Sequence, residues 1–354
     1  MYETPITKDK RTMSINILRL DSWIDPCFDE MLGKQTGVKL SVMKLSDPDE
    51  TNWAMMAEAD IYHVPAAKDE VPLKWQVTPE LIARCPRLKV VSSTGAGYDP
   101  VDVDACTQAG ILVVNQAGGN AVSVSEHTLA LMLSVACRVV ESDQVLKTKS
   151  GIPREDLMGH ELSGKTLGLV GIGHIGTRVA RLGAAFGMRV LACDPYVDAD
   201  TIRDRGATPV SLEELIAESD FVSLHCPRNK ETTGMFGVGE FHAMKRGAIF
   251  VSTARGGIHD EPALYDALAS GHLAGAGLDV WLVEPPPRDH PLLTLPNVVS
   301  TYHTAGVTHE GRRNIAAISA QQIIDICAGR TPPRMINPEV HEAVAARFQN
   351  TTTA

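Results

Sequence analysis

The stretch that most constrains this chain runs from Lys165 to Asp194, KTLGLVGIGHIGTRVARLGAAFGMRVLACD. Thr166 to Val170 is an apolar run of strand length, and it ends directly on Gly171-Ile172-Gly173-His174-Ile175-Gly176. In such a motif the first glycine permits a tight turn, the second lets the backbone approach a pyrophosphate, and the third lets the next helix pack on the strand. Ile175, Val179, Leu182 and Phe186 then recur at helical spacing up to Gly187, so the free amides at the start of that helix would face the phosphates. A second apolar run, Met188 to Cys193, delivers Asp194 at about the 20-residue offset of a carboxylate that holds ribose hydroxyls. A glycine motif alone says little; strand, motif, helix, strand and acid in this order predict a dinucleotide site. An acid at this position favours NAD, because an NADP site usually brings an arginine to the extra phosphate and the nearest one, Arg203, lies well beyond Asp194.

The chain has 354 residues, long enough for two domains, with an ordinary 44% hydrophobic content. Its net charge of -10 argues against a nucleic-acid or anionic-membrane partner. No apolar run approaches the ~20 residues of a membrane span. The opening MYETPITKDKRTMS lacks the apolar core of a secretory signal and reads as a loose tail. Seven cysteines are odd in number and form no CxxC pair, which predicts reduced thiols in a cytoplasmic protein. Twelve histidines include no HExxH and no zinc-finger spacing, so no metal is expected.

From Ser14 to Gly119 short apolar runs alternate with helical segments. Strands are expected over Ile15 to Leu20, Val38 to Leu45, Ile61 to Val64, Leu88 to Ser92 and Ile111 to Val114, and helices over Phe28 to Gly33, Thr78 to Cys85 and Val101 to Ala109. That pattern makes a small parallel α/β domain. The turn Ser93 to Asp99 follows the fourth strand, and the amides of Ala96 and Gly97 can take an anion there; a plain glycine turn fits equally. One long helix is expected from about Ser123 to Lys147, with Leu129, Met132, Leu133, Ala136 and Val140 on its buried face, then a polar linker from Lys149 to Ser163.

After Asp194 the alternation continues. Leu212 to Ala217, Val238 to Met244 and Pro262 to Ser270 read as helices, and Phe221 to Leu224, Ala248 to Val251, Gly275 to Val280 and Val298 to Thr301 as strands, completing a doubly wound parallel sheet. A final helix spans Glu310 to Ala328, and Thr331-Pro332-Pro333 ends it, leaving a tail whose composition predicts mobility. Three charged groups stand just past strand ends: Arg255, Glu284 and His303. Such positions share one edge of a parallel sheet, the edge that carries the glycine motif. A guanidinium fork suits a carboxylate, an imidazole suits proton transfer near neutrality, and a carboxylate on its far nitrogen fixes the tautomer. With a nicotinamide these describe interconversion of 2-hydroxy and 2-oxo acids; taken singly, each residue is more readily a surface or turn group.

Many segments in one order resemble the D-isomer-specific 2-hydroxyacid dehydrogenases, the group containing phosphoglycerate dehydrogenase and glyoxylate/hydroxypyruvate reductases. They are GAGYDPVDVDACTQAGILVVNQAGGN (95–120), SEHTLALML (125–133), LSGKTLGLVGIGHIG (162–176), HCPRNKETTG (225–234), STARGG (252–257), GAGLDVWLVEPPP (275–287) and TYHTAGVT (301–308). The resemblance implies two doubly wound parallel-sheet α/β domains: a flavodoxin-like substrate domain (14–120 and 308–345) with a Rossmann NAD-binding domain (121–307) inserted. It gives Arg255 the substrate carboxylate and carbonyl, His303 the proton, and Glu284 the histidine. It puts Ala96 and Gly97 at the substrate, Gly171, Gly173, His174, Ile175 and Gly176 at the pyrophosphate, and Asp194 at the adenosine ribose. It sets Cys226, Thr232, Thr253, Ala254, His303, Ala305 and Gly306 along the cofactor and Asp279 at the nicotinamide amide. It also implies a homodimer through the long helix.

Departures from the pattern are Tyr302 for the usual proline, Ser252 for a common asparagine, and His63 to Lys68 where phosphoglycerate dehydrogenases typically carry Arg-Ser. The last weakens the case for a phosphorylated substrate, though Lys68 can partly substitute. Glutamate at 284 argues against the formate dehydrogenase branch, and the chain ends soon after Pro338, so no appended amino-acid-sensing domain is expected. The expectation is an NAD-dependent oxidoreductase acting on a small (R)-2-hydroxy acid or its 2-oxo partner. The rival readings are a phosphoglycerate dehydrogenase and an NADH-sensing binding protein of the same fold.

Overall fold

Short runs of branched and apolar residues, set between glycine- and aspartate-rich turns, form strands that are mostly buried on both faces, as parallel sheets covered by helices require. The computed structural model describes residues 14–353, and the loose tail expected at the amino terminus lies outside them but for Ser14. In chain order come β1 (Ile15–Leu20), α1 (Cys27–Gly33), β2 (Val38–Met43), α2 (Asp49–Ala57), β3 (Ile61–Val64), α3 (Pro79–Arg84), β4 (Val90–Ser93), α4 (Val103–Gln108) and β5 (Leu112–Val114). Next are α5 (Ala121–Ala136), α6 (Val139–Thr148), β6 (Thr166–Val170), α7 (His174–Ala185), β7 (Arg189–Cys193), α8 (Ala199–Asp204) and β8 (Thr208–Pro209). Then follow α9 (Leu212–Glu218), β9 (Phe221–Leu224), α10 (Val238–Ala243), β10 (Ile249–Ser252), α11 (Glu261–Ala269), β11 (Gly275–Leu278), β12 (Val298–Ser300), α12 (His309–Cys327) and α13 (His341–Thr353).

These elements form two units, one holding the described residues through Gly119 and from Arg312 onward, the other Asn120–Gly311. The first unit carries a parallel sheet in the order β2-β1-β3-β4-β5, the flavodoxin-like arrangement. Its strands alternate in the way a two-sided sheet demands. Ile15 and Ile17 face one core cluster and Leu18 and Leu20 the other. The second unit carries seven parallel strands in the order β12-β11-β10-β9-β6-β7-β8. Winding reverses between β6 and β9, and ligands bind at the carboxyl edge of such a switch point. Among the described residues no helix is long and apolar enough to cross a membrane.

Two expectations are corrected. The single helix over Ser123 to Lys147 is two, α5 and α6, broken at Arg138, whose backbone is left-handed (φ 53°). Segment 156–160 causes the break: the His160 amide takes the Ala136 carbonyl at 2.8 Å and Arg138 donates to the Asp156 carbonyl at 2.7 Å. Val140, expected on the buried face, is 39% exposed beyond the break. The tail expected to be mobile is instead packed. The Ile336 amide donates to the Val113 carbonyl (2.9 Å) and Asn337 accepts from the Val113 amide (2.8 Å), stitching the chain to β5. Val340, Val344 and Phe348 then bury themselves at helical spacing. Helices α2 and α8 and the short β8 add to the predicted set.

Candidate active site

The glycine motif lies where β6 ends. Gly171 has φ 93°, and a Cβ there would strike the backbone of His225 and Cys226 at 2.9 Å, so only glycine makes this turn. A Cβ on Gly176 would meet the Gly171 carbonyl oxygen at 2.3 Å, whereas one on Gly173 would meet nothing within 4 Å. Gly176 therefore serves the packing of α7 on the turn, and Gly173 leaves open ground. Helix α7 begins at His174, and Gly173 as its N-cap offers no side chain to the first amides. The amides of His174, Ile175 and Gly176 remain for an outside acceptor, with the helix dipole behind them. Open ground above an uncapped helix end fits a dinucleotide pyrophosphate.

Asp194, just past β7, accepts the Ile172 amide at 3.0 Å and the Tyr196 amide at 3.1 Å. Both oxygens keep lone pairs for hydroxyl donors. Beside it opens a pocket of about 500 Å³ walled by Pro195, Val197, Pro209 and Val210, within the usual range of small-molecule sites. Apolar walls with the Asp194 and Glu214 carboxylates in the lining suit a nucleoside. Arg203 belongs to the same lining, which corrects the expectation that it lies well beyond Asp194: α8 carries it back to the end of β7, where its guanidinium pairs with Asp200 at 2.6 Å.

Strands β10, β11 and β12 are neighbours, so residues just past their ends gather at one place. Glu284 Oε2 lies 2.8 Å from His303 Nδ1, and Glu284 Oε1 accepts the Trp281 amide at 3.0 Å. Arg255 donates to the Ala254 carbonyl at 2.8 Å, and its charge acts on both Glu284 and His303. His303 has φ 50°, a left-handed conformation that costs a non-glycine residue on the order of 1–3 kcal/mol. Asp279 holds it there. Its carbonyl accepts the His303 amide at 2.8 Å, Oδ1 accepts the Thr301 hydroxyl at 2.6 Å and the Thr304 amide at 2.8 Å, and Oδ2 accepts the Ala305 amide at 2.9 Å. The Asp279 side chain is fully buried, so these donors take the place of water around it.

Burial alone would lower the pKa of His303, but the Glu284 hydrogen bond and charge outweigh it and hold the imidazole above its ordinary value of 6.5. Burial would raise Glu284, yet its bond to His303 holds it below 4.5. With Nδ1 bound to a carboxylate, Nε2 is the nitrogen left to exchange a proton, beside a guanidinium that can fix an anion.

His225 and Cys226 abut Gly171, and burial pushes the Cys226 thiol up to about 11. The Thr232 hydroxyl donates to the Pro227 carbonyl at 2.6 Å, closing the loop after β9. Thr253 shares a 3.0 Å hydroxyl contact with Thr128 on α5. A Cβ on Gly306 would strike the Asn120 side chain at 2.3 Å. In the first unit, the Ala96 carbonyl is held by Asn115 at 2.7 Å, while among the described residues the amides of Ala96 and Gly97 donate to no acceptor in the chain. Sequence reasoning missed Trp281 and Thr301. The Trp281 indole donates to the Thr301 carbonyl at 3.1 Å, tying together the loops of Glu284 and His303. No spacing signal links residues 20 apart on different strands.

Comparison with known proteins adds four findings. The family profile described as "D-isomer specific 2-hydroxyacid dehydrogenase, NAD binding domain" matches residues 129–305. A D-3-phosphoglycerate dehydrogenase of Archaeoglobus fulgidus is 43% identical over 74% of this chain and 50% of its own length, so the chain spans half of that relative. A glyoxylate reductase of Korarchaeum cryptofilum is 41% identical over 77% of this chain and 83% of its own length. Among solved structures, the TT0316 protein of Thermus thermophilus superposes with a TM-score of 0.79 and 34% identity, covering 91% of this chain and 100% of that one.

Proposed function

The chain belongs to the D-isomer-specific 2-hydroxyacid dehydrogenase family, and on that premise we propose that it interconverts a small 2-oxo acid and its (R)-2-hydroxy acid with NAD(H). The observation that carries this reading is the 2.8 Å contact between Glu284 and His303 beside Arg255. When bound, the nicotinamide supplies or takes up the hydride. Arg255 binds the substrate carboxylate with its fork and polarises the carbonyl. His303 gives its Nε2 proton to the carbonyl oxygen in reduction and takes it back in oxidation, while Glu284 holds the ring and steadies its charged form. The first amides of α7 hold the pyrophosphate, Asp194 the ribose, and Cys226, Thr232, Thr253, Ala254, Ala305 and Gly306 border the cofactor. In the first unit, the amides of Ala96 and Gly97 offer donors suited to a carboxylate.

An unphosphorylated substrate is the preferred reading, since no arginine follows β3; the Archaeoglobus relative supports phosphohydroxypyruvate as the second. A cytoplasmic location is consistent with seven free thiols. A homodimer is supported by apolar side chains left bare on and beside α6, with Leu146 83% and Met158 70% exposed. The test is NADH consumption with glyoxylate, hydroxypyruvate, phosphohydroxypyruvate and an aromatic 2-oxo acid, with NADPH in parallel. Turnover of one of the unphosphorylated acids with NADH is expected. Silence across the panel with NADH bound by fluorescence would overturn the enzymatic reading in favour of a binding protein.

A further inference from the structure

A second carboxylate–imidazole pair stands one step behind Glu284. Glu261, the first residue of α11, is 9% exposed. Its Oε1 accepts the Leu282 amide at 2.7 Å, and its Oε2 meets His290 Nε2 at 3.1 Å. The His290 ring stands edge-on to Trp281, with centroids 5.4 Å apart at 72°. An acid this deep needs a reason, because burying a carboxylate is costly unless donors surround it. Capping of α11 is not the reason: Asp260 does that through the Ala263 amide at 2.7 Å. What Glu261 holds is the Trp281–Leu282 peptide. That peptide lies directly on Gly256, where a Cβ would meet the Trp281 oxygen at 1.8 Å and the Leu282 nitrogen at 2.6 Å. Gly256 follows Arg255, and Glu284 comes two residues after Leu282. One peptide is therefore shared by the segments that carry the guanidinium and the carboxylate.

We propose that Glu261, supported by His290, is a positioning residue for the reaction: it clamps the Trp281–Leu282 peptide onto Gly256 and so sets where Glu284 and Arg255 stand relative to His303. It touches neither substrate nor cofactor, and the inference rests on the roles given above to those three residues. Freed from the clamp, the 281–284 turn moves, Glu284 loosens its bond to His303, and the imidazole loses the partner that keeps it charged. A misplacement of 1 Å at reacting groups costs roughly 10²-fold in rate.

The test is the pH titration of the His303 ring by NMR, assigned with His303→Gln, in the wild type and in Glu261→Ala, Glu261→Asp and Glu261→Gln. The groups that act on His303, namely Glu284, Arg255 and Asp279, stay unaltered in all three. Aspartate keeps the charge but is one methylene too short to reach both partners, whereas glutamine keeps an oxygen for the Leu282 amide. The His303 midpoint is expected to fall by about half a unit or more in the Ala and Asp variants and to return towards wild type in Gln. With a turned-over substrate, kcat should fall roughly 10²-fold in the Asp variant while KM and NADH affinity change by no more than about threefold. An unchanged His303 midpoint in Glu261→Asp overturns the proposal. Lost stability or NADH affinity without a shifted midpoint does the same, marking Glu261 as merely structural. If Glu261→Ala fails to fold, the Asp and Gln variants carry the comparison. Because the titration needs no turnover, a wild type that reduces no 2-oxo acid refutes the proposed function while the clamp is still judged by its own readout.

Discussion

Replacing Glu284 with glutamine keeps the shape of the side chain and an oxygen for His303 Nδ1, and removes the charge. A hydrogen bond to a charged group contributes about 1.5–3 kcal/mol. The pair meets at 2.8 Å with side chains 33% and 19% exposed, so solvent screening puts the effect at the lower end, about 1.5 kcal/mol or roughly one pKa unit. Burial and the Arg255 charge remain in the variant, and both lower the His303 pKa. With the imidazolium as the proposed proton donor in reduction, kcat/KM should be flat at low pH and fall as pH rises through the pKa of His303. In Glu284→Gln that fall should begin about one unit lower, leaving roughly tenfold fewer charged imidazoles on the alkaline side. The assay is kcat/KM for NADH-dependent reduction between about pH 5 and 9. A profile that drops uniformly and keeps its midpoint refutes the reasoning, because Glu284 would then not set the protonation of His303. Folding stability carries the same signature. Glu284 is held below its ordinary 4.5, so its contribution is present above that value and lost as pH falls through the lowered pKa. His303 is held above 6.5, so its contribution is present below that value and lost as pH rises through the raised pKa. Urea unfolding should therefore separate the variant from wild type most clearly between the two values.

Gly173→Ala should fold normally, since its Cβ meets nothing within 4 Å, yet weaken NADH binding about tenfold or more by occupying the ground above the helix end; wild-type affinity in a fluorescence titration would count against that placement. Gly176→Ala, whose Cβ lands 2.3 Å from the Gly171 oxygen, should instead lower the Tm, at a cost of about 1–3 kcal/mol. Phe348→Ala should destabilise the first unit by about 3–5 kcal/mol in urea unfolding; a change under about 0.5 kcal/mol would mean that α13 does not pack as described.

What could be read from the chain alone followed the range of the forces involved. The run from Thr166 to Asp194 is a local unit, so its strand, turn, helix and acid were legible as residue types at fixed spacing. Arg255, Glu284 and His303 were legible as a set because parallel strands deliver their ends to one edge, and the family resemblance gave them roles. The break at Arg138 was not, because the competing hydrogen bond comes from His160, more than a turn away in a segment of polar residues. Nor was α13, where Val344 and Phe348, with Val340 just before the helix, sit in a polar background and find their partners on strands more than 200 residues earlier. The place of Arg203 was not legible, because nine residues along the chain from Asp194 do not measure distance in space once α8 folds back. The left-handed backbone of His303 carried no local signal: the Asp279 carboxyl that stabilises it comes from the neighbouring strand.

The divided first unit has a consequence for synthesis. Ile17, Ile61, Val90 and Leu112 on one face of its sheet are covered by Ala316, Ala320, Ile323, Val344 and Phe348. The ribosome makes the strands first and must then add the roughly 200 residues of the second unit before the cover emerges, which takes roughly 10–40 s at ordinary elongation rates. For that interval the nascent sheet presents a bare apolar face, while the second unit, continuous in sequence, can close its own core as it leaves the tunnel. Molecules that shield nascent hydrophobic surface would act on the earlier-made half of the protein, and the half made later would be the first to finish folding.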